Sequence, residues 1–185
     1  MSLTSPSTTL YTLGSGILQI ALWSGGVPGA YEDLGNAPSV ELTLALEEKE
    51  HKESRSAAKS VDKSIVVERG YNVKFTLDEI STANLRRWVM GSGSGSNISG
   101  LLATDDEFSL KFKADNAAGP NRIYEFHRCS IRPDGGLALI GDDWQGMSYT
   151  AKGLKDAANN PSSPYFDITS TTTSTTTTTT TTTEG

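Results

Sequence analysis

Alternation of apolar and polar residues along Ser39–Glu47 commits this chain to β-sheet before anything else about it is weighed. Val40, Leu42, Leu44 and Leu46 fall on one side of an extended backbone, with Glu41, Thr43, Ala45 and Glu47 on the other. Ser64–Leu77 repeats the device: Ile65, Val67, Tyr71, Val73, Phe75 and Leu77 share a side opposite Glu68, Asn72, Lys74 and Thr76. Phe108, Leu110 and Phe112 alternate with Ser109, Lys111 and Lys113. Strands are also expected at Ile17–Trp23, Arg122–Ile131 and Leu137–Ala151, the last two joined by a tight turn at Pro133-Asp134-Gly135-Gly136. Six or so antiparallel strands with short turns make a mainly β fold, an antiparallel sandwich or half-barrel.

One stretch changes period. Over Asp78–Met90, helical spacing gathers Leu77, Ile80, Leu85, Trp88 and Val89 into one stripe. A single helix over 78–90 is expected, capped by Asp78 or Ser81, closed at Gly91, and laid by Trp88 over one sheet. The Gly91–Ser96 run that follows reads as a flexible linker. The segments divide into an N-terminal arm over 1–16, one folded domain over 17–168 and a Thr-rich tail over 169–185. That tail has no apolar side chain to bury and should not order alone.

Glu47–Lys63 is the unusual connection. Glu47, Glu48, Glu50, Glu53 and Asp62 are mixed there with Lys49, Lys52, Arg55, Lys59 and Lys63, and His51 and Ser54 lie among them. A long polar excursion between two well-patterned strands is expected to be functional or disordered.

The chemistry-bearing residues do not assemble into a catalytic pattern. In Gly91-Ser92-Gly93-Ser94-Gly95 neither serine stands at the centre of a Gly-x-Ser-x-Gly elbow, and the run follows the expected helix instead of opening one. Asp142-Asp143 and Asp105-Asp106-Glu107 read as solvated turn carboxylates, since neighbours on a strand face apart. His127 and Cys129, two apart, read as neighbours on one strand face and not as a catalytic pair. With one cysteine there is neither an intramolecular disulfide nor a cysteine-based zinc site. No enzyme activity, cofactor or metal is expected. A net charge of −6 disfavours a grip on nucleic acid. The start lacks a leader's basic end and apolar core, and no apolar run reaches membrane-spanning length, so a soluble protein without membrane contact is expected.

The alternating strand Val40–Leu46, the charged excursion, the strand Ile65–Leu77 and Leu77-Asp78-Glu79-Ile80-Ser81-Thr82-Ala83-Asn84-Leu85 opening a helix stand in an order that resembles the tail tube (major tail) proteins of long-tailed bacteriophages. Ala138-Leu139-Ile140-Gly141-Asp142-Asp143-Trp144 and Gly153-Leu154-Lys155-Asp156 are similar to that family's closing strands. The resemblance covers about Ile17–Ile168 and leaves the Thr-rich tail without a counterpart. It implies a homohexameric ring that stacks into a virion tail tube, built in the host cytoplasm, whose sheets complete a continuous barrel in the oligomer. It implies tape measure, tail terminator and tip proteins as partners, and DNA that passes through the lumen during ejection without specific binding. By position, Glu47–Lys63 would be the loop that reaches the adjacent ring. With about 24 strands spaced ~4.8 Å and tilted ~40°, such a barrel is about 48 Å across its backbone. Side chains of about 5 Å per wall leave roughly 38 Å, wide enough for a duplex. An acidic wall would repel phosphates within a Debye length. Two other readings stay open: a tube protein like that of type VI secretion, and a virion-decoration or carbohydrate-binding sandwich, which would show clustered exposed aromatics.

Overall fold

The computed structural model describes residues 10–55, 58–117 and 119–171. Its strands are β1 (Gly16–Ser24), β2 (Val27–Pro28), β3 (Glu32–Asp33), β4 (Ser39–Lys52), β5 (Val61–Leu77), β6 (Glu107–Ala114), β7 (Asn121–Pro133), β8 (Met147–Gly153) and β9 (Phe166–Thr171), with one helix, α1 (Thr82–Trp88). All pairings are antiparallel and run β2-β1-β6-β7-β8-β5-β4, with β3 on β1 and β9 on β7. The expected mainly β sandwich or half-barrel with one flanking helix is what forms.

β7 is the corner. One of its edges holds β6 along Ile123–Ser130, while the other holds β9 over Asn121–Phe126 and then β8 over Cys129–Pro133. Exchanging partners midway lets the sheet fold back on itself, so that two inner faces meet. Tyr71 of β5 packs on Phe126 of β7 with ring centroids 5.3 Å apart, and edge-on against Phe166 of β9 at 5.5 Å. Gly153 sits under the Tyr71 ring, and a Cβ there would collide with it. Phe75 and Tyr149, cross-strand partners on β5 and β8, stack at 4.9 Å. Leu18, Ile20, Val73, Leu77, Leu110, Ile131, Met147 and Ala151 complete the buried cluster.

Several expectations are corrected. The helix is shorter than 78–90. The Ser81 side chain accepts from Asn84 N at 3.1 Å and caps it, while the Asp78 carboxylate accepts from the Asn36 side chain at 2.7 Å. Met90, at φ 47°, takes the left-handed position expected of Gly91. Leu77 is buried at the end of β5, but Ile80 precedes the helix and is exposed; Leu85, Trp88 and Val89 are half-buried. The buried helical residue is polar: the Asn84 amide donates to Leu34 O at 2.9 Å and Glu79 O at 3.1 Å, and its backbone carbonyl accepts from Tyr149 Oη at 2.9 Å. These bonds moor a two-turn helix that propensity alone would not hold.

Gly91–Ser96 is no free linker, because a Ser92–Ser99 bridge closes the turn and Gly95 O accepts from Arg86 Nη2 at 3.1 Å. The strand expected over Leu137–Ala151 begins only at Met147. Pro133 still pairs with Tyr149, so residues 134–146 bulge out as a long loop and not as a tight turn. At the other end β9 carries Thr169, Ser170 and Thr171 into pairing with Ile123, Arg122 and Asn121. The domain therefore runs past Ile168; the remainder of the tail, 172–185, and most of the N-terminal arm, 1–9, lie outside the described residues.

Candidate self-assembly surfaces

The charged excursion is a hairpin arm and not a loop. β4 continues through Glu47, Glu48, Lys49, Glu50 and His51 to Lys52, and β5 begins at Val61, taking in Asp62 and Lys63. Only 53–60 connects them, with Glu53, Ser54, Arg55 and Lys59 at the tip and Glu53 N donating to Ser60 O at 2.9 Å. Sequence pattern misses these pairs because alternation reports a strand with one buried face, and both faces of this ribbon are wet. Every described residue from Thr43 to Arg69 is exposed. From Ala45 to Lys52 the arm projects about 25 Å. A two-stranded ribbon of this kind is marginal in water without something to pack on.

Two bulges shape it. At the first, Glu47 faces Glu68 and the register slips so that Glu48 meets Val66 and Lys49 meets Ile65. Two glutamates set directly across a ladder repel. At the second, His51 faces Lys63 and Lys52 faces Val61. His51 Nδ1 lies 2.6 Å from Asp62 Oδ1, and Ser64 Oγ donates to Glu48 Oε2 at 2.9 Å. Bulges bend and twist an edge. The arm also carries apolar side chains it cannot cover: Leu44, Leu46, Val61, Ile65, Val66 and Val67 are all exposed. Leu44 and Leu46 continue the row that starts with Val40 and Leu42, which do reach the core.

Unsatisfied edges extend the same theme. Among the described strands β4 pairs with β5 alone and β9 with β7 alone, so each has an outer edge without a strand partner. A long free edge is a template for another chain.

Two further surfaces were not anticipated. The loop 134–146 leaves Leu139, Ile140 and Trp144 exposed, Trp144 at 99%, and lines a pocket with Asp78 and Ile80 just before α1. Separately, a groove of about 400 Å³ lies between α1 and the β1/β6 face, with Ile20, Leu22 and Phe108 in its walls and Arg86, Arg87 and Arg132 among its polar groups. Arg87 is engaged by Glu32 Oε2 at 2.5 Å and Asn84 Oδ1 at 3.2 Å, whereas Arg86 Nε is buried without a hydrogen-bond partner. Leu139-Ile140 were expected inside a strand over Leu137–Ala151. Their lack of a sheet partner decides otherwise.

The residues weighed for chemistry lie in structural roles. Cys129 is fully buried and its thiol donates to Phe108 O at 3.3 Å; burial, with Glu107 adding to it, pushes that thiol far above its ordinary range. A thiol held protonated lacks the nucleophilic form. His127, also buried, has Nε2 3.3 Å from Asp167 Oδ2. Glu107 forks onto Arg128 at 2.6 and 2.8 Å, which separates it from Asp105 and Asp106. Asp142 and Asp143 lie on the exposed loop. Among the described residues no group of three or more His, Cys, Asp or Glu could hold a metal ion, and no helix is long and apolar enough to cross a membrane.

A family model described as "Protein of unknown function UCP028589" matches residues 11–96 and 92–169. The chain belongs to this family. The matched span begins just before β1 and ends inside β9, so it takes in the arm, both open edges and the loop 134–146. No curated protein matches the chain.

Proposed function

We propose that this protein is the structural subunit of a phage tail tube, joining copies of itself into stacked rings that enclose a passage for DNA. The observation that carries this is the arm. A chain that keeps a ribbon of some 25 Å in the solvent, with uncovered apolar side chains and opposed glutamates, is built for a surface it does not itself contain. Glu47, Glu48, Lys49, Glu50, His51, Lys52, Glu53, Ser54, Arg55, Lys59, Asp62 and Lys63 would make the contact between rings. Their mixed signs would set register more than affinity. The free edges of β4 and β9 would pair within a ring and turn separate half-barrels into one wall. The resemblance seen in the strand order supports the same conclusion. So does the net charge of −6, which suits a conduit that DNA must leave without sticking. Tape measure, terminator and tip proteins would meet the ends of such a tube in the virion.

Negative-stain imaging of the purified full-length chain tests this directly. Tubes or stacked rings are expected. A protein that stays monomeric at the highest reachable concentration would overturn it.

A further inference from the structure

We propose that the loop 139–144 of one copy seats in the α1 groove of a second copy, Trp144 entering between its apolar walls and Asp142 and Asp143 facing its arginines. This rests on the reading that the chain assembles with itself, and it names a contact separate from the arm and from the sheet edges.

The loop is a ligand without a site. Leu139 is 80% exposed, Ile140 97% and Trp144 99%, on a segment whose ends are fixed by Pro133–Tyr149 pairing. A tryptophan buries about 150–250 Å² when covered and is among the residues most enriched at the centres of interfaces. The stretch 134–146 contains three aspartates and no lysine or arginine. Asp134 is already held by Lys74 Nζ at 3.0 Å, which leaves Asp142 and Asp143 for a partner.

The groove is a site without a ligand. Ile20, Leu22 and Phe108 give it apolar walls, and Arg86 and Arg132 outnumber what the chain itself supplies to them. Glu32 is taken by Arg87, and Asp106 is the one further carboxylate in the lining. Arg132 Nη1 donates to the neighbouring Ile131 O and Arg86 Nη2 to Gly95 O, while the buried Arg86 Nε has no hydrogen-bond partner among the described residues. An incoming carboxylate would add a charge-assisted bond to the exposed Arg132 side chain beside the half-buried Arg86.

The complementarity favours a second copy over the chain's own loop. No residue of 134–146 lines the groove of the same molecule, and Trp144 is bare in it. A loop of one copy in the groove of the next joins two different patches, a head-to-tail contact that closes rings or propagates instead of stopping at a dimer.

The test is to place a benzophenone on Gln145→Cys through a maleimide, next to an intact Trp144; Cys129 is buried and stays unlabelled. Irradiation of the associated protein should give a dimer-mass product whose cross-link maps to 83–91 or 20–30 of the other copy. A monomer-mass product, meaning the loop folds onto its own groove, or a map elsewhere overturns the proposal. In parallel, Trp144→Ala, Asp143→Arg and Arg86→Asp should each weaken association at least tenfold by sedimentation. A mixture of Asp143→Arg with Arg86→Asp should recover part of that loss. Wild-type protein that assembles while Trp144→Ala assembles equally well sinks this contact and leaves the tube reading standing. A wild-type chain that never associates sinks both.

Discussion

β5 contains two proteins' worth of physics in one strand. Its C-terminal part, Tyr71–Leu77, alternates buried and wet residues and is gripped on both edges, by β4 and β8. Its N-terminal part, Val61–Arg69, has the same kind of residues and a partner on one edge only, and none of its side chains is buried. Valine at 73 is sealed in the core; valine at 67 is 46% exposed. The difference teaches that an apolar letter in a strand is not evidence of a core. The body uses its apolar row to fold, and the arm leaves its apolar side chains uncovered.

The sharpest way to break the comparison is to make one substitution in both halves. Val73→Asp should unfold the domain, costing more than about 3 kcal/mol for an uncompensated buried charge. Val67→Asp should alter stability by less than about 0.5 kcal/mol while reducing association. Chemical denaturation and sedimentation on both variants decide it, and equal destabilisation would erase the distinction. Next, Asn84→Ala removes the amide that fastens α1 to the Leu34 and Glu79 carbonyls, and should cost about 1–3 kcal/mol with the arm unaffected. Deleting Lys49–Lys59 should leave the melting of the body within a few degrees of the parent but stop ring stacking; tubes that still form would remove the arm from the interface.

Smaller effects sharpen the picture. Glu68→Lys places opposite charges across the first bulge and should slow hydrogen exchange of the arm amides, by about 0.2–1 kcal/mol of local stability, without moving the global transition. Smallest of all is Asp134. Lys74, and then Thr150, hold its carboxyl below the ordinary range. A depressed acid contributes stability above its unfolded pKa and loses it as pH falls through the folded value. Asp134→Asn should therefore lower stability slightly at neutral pH, with the difference from the parent vanishing in strong acid. A difference that instead grows on acidification would show the sign to be wrong.

Much of the body was legible because burial on one side writes itself into a sequence as period two. The β4 segment Ser39–Glu47, the Ser64–Leu77 part of β5 and the β6 segment were recognisable from alternation, and strands were expected where β1 and β7 form. Trp88 and Leu85 reported the helix for the same reason at a different period. The arm and the loop 134–146 were legible only in part. Glu47–Lys63 stood out by length and charge, but its strand pairing did not, since a ribbon wet on both faces has no pattern to keep. Trp144 was visible as a letter and invisible as an exposed one. Asn84 looked like an ordinary helical polar residue, although it is the anchor of the helix.

What the residues alone determined is class and sign: antiparallel sheet, one helix, an acidic chain, and one segment too long and too charged to be a simple turn. Tertiary structure alone decided which strand turns the corner, where Leu137–Ala151 stops being loop and becomes β8, that Thr169–Thr171 joins β9, and which apolar side chains stay outside. The reason is range. Alternation, capping and charge act between residues a few positions apart. The partner exchange along β7, and the absence of a further partner for β4 and β9 among the described strands, depend on segments far apart in the chain finding or failing to find one another.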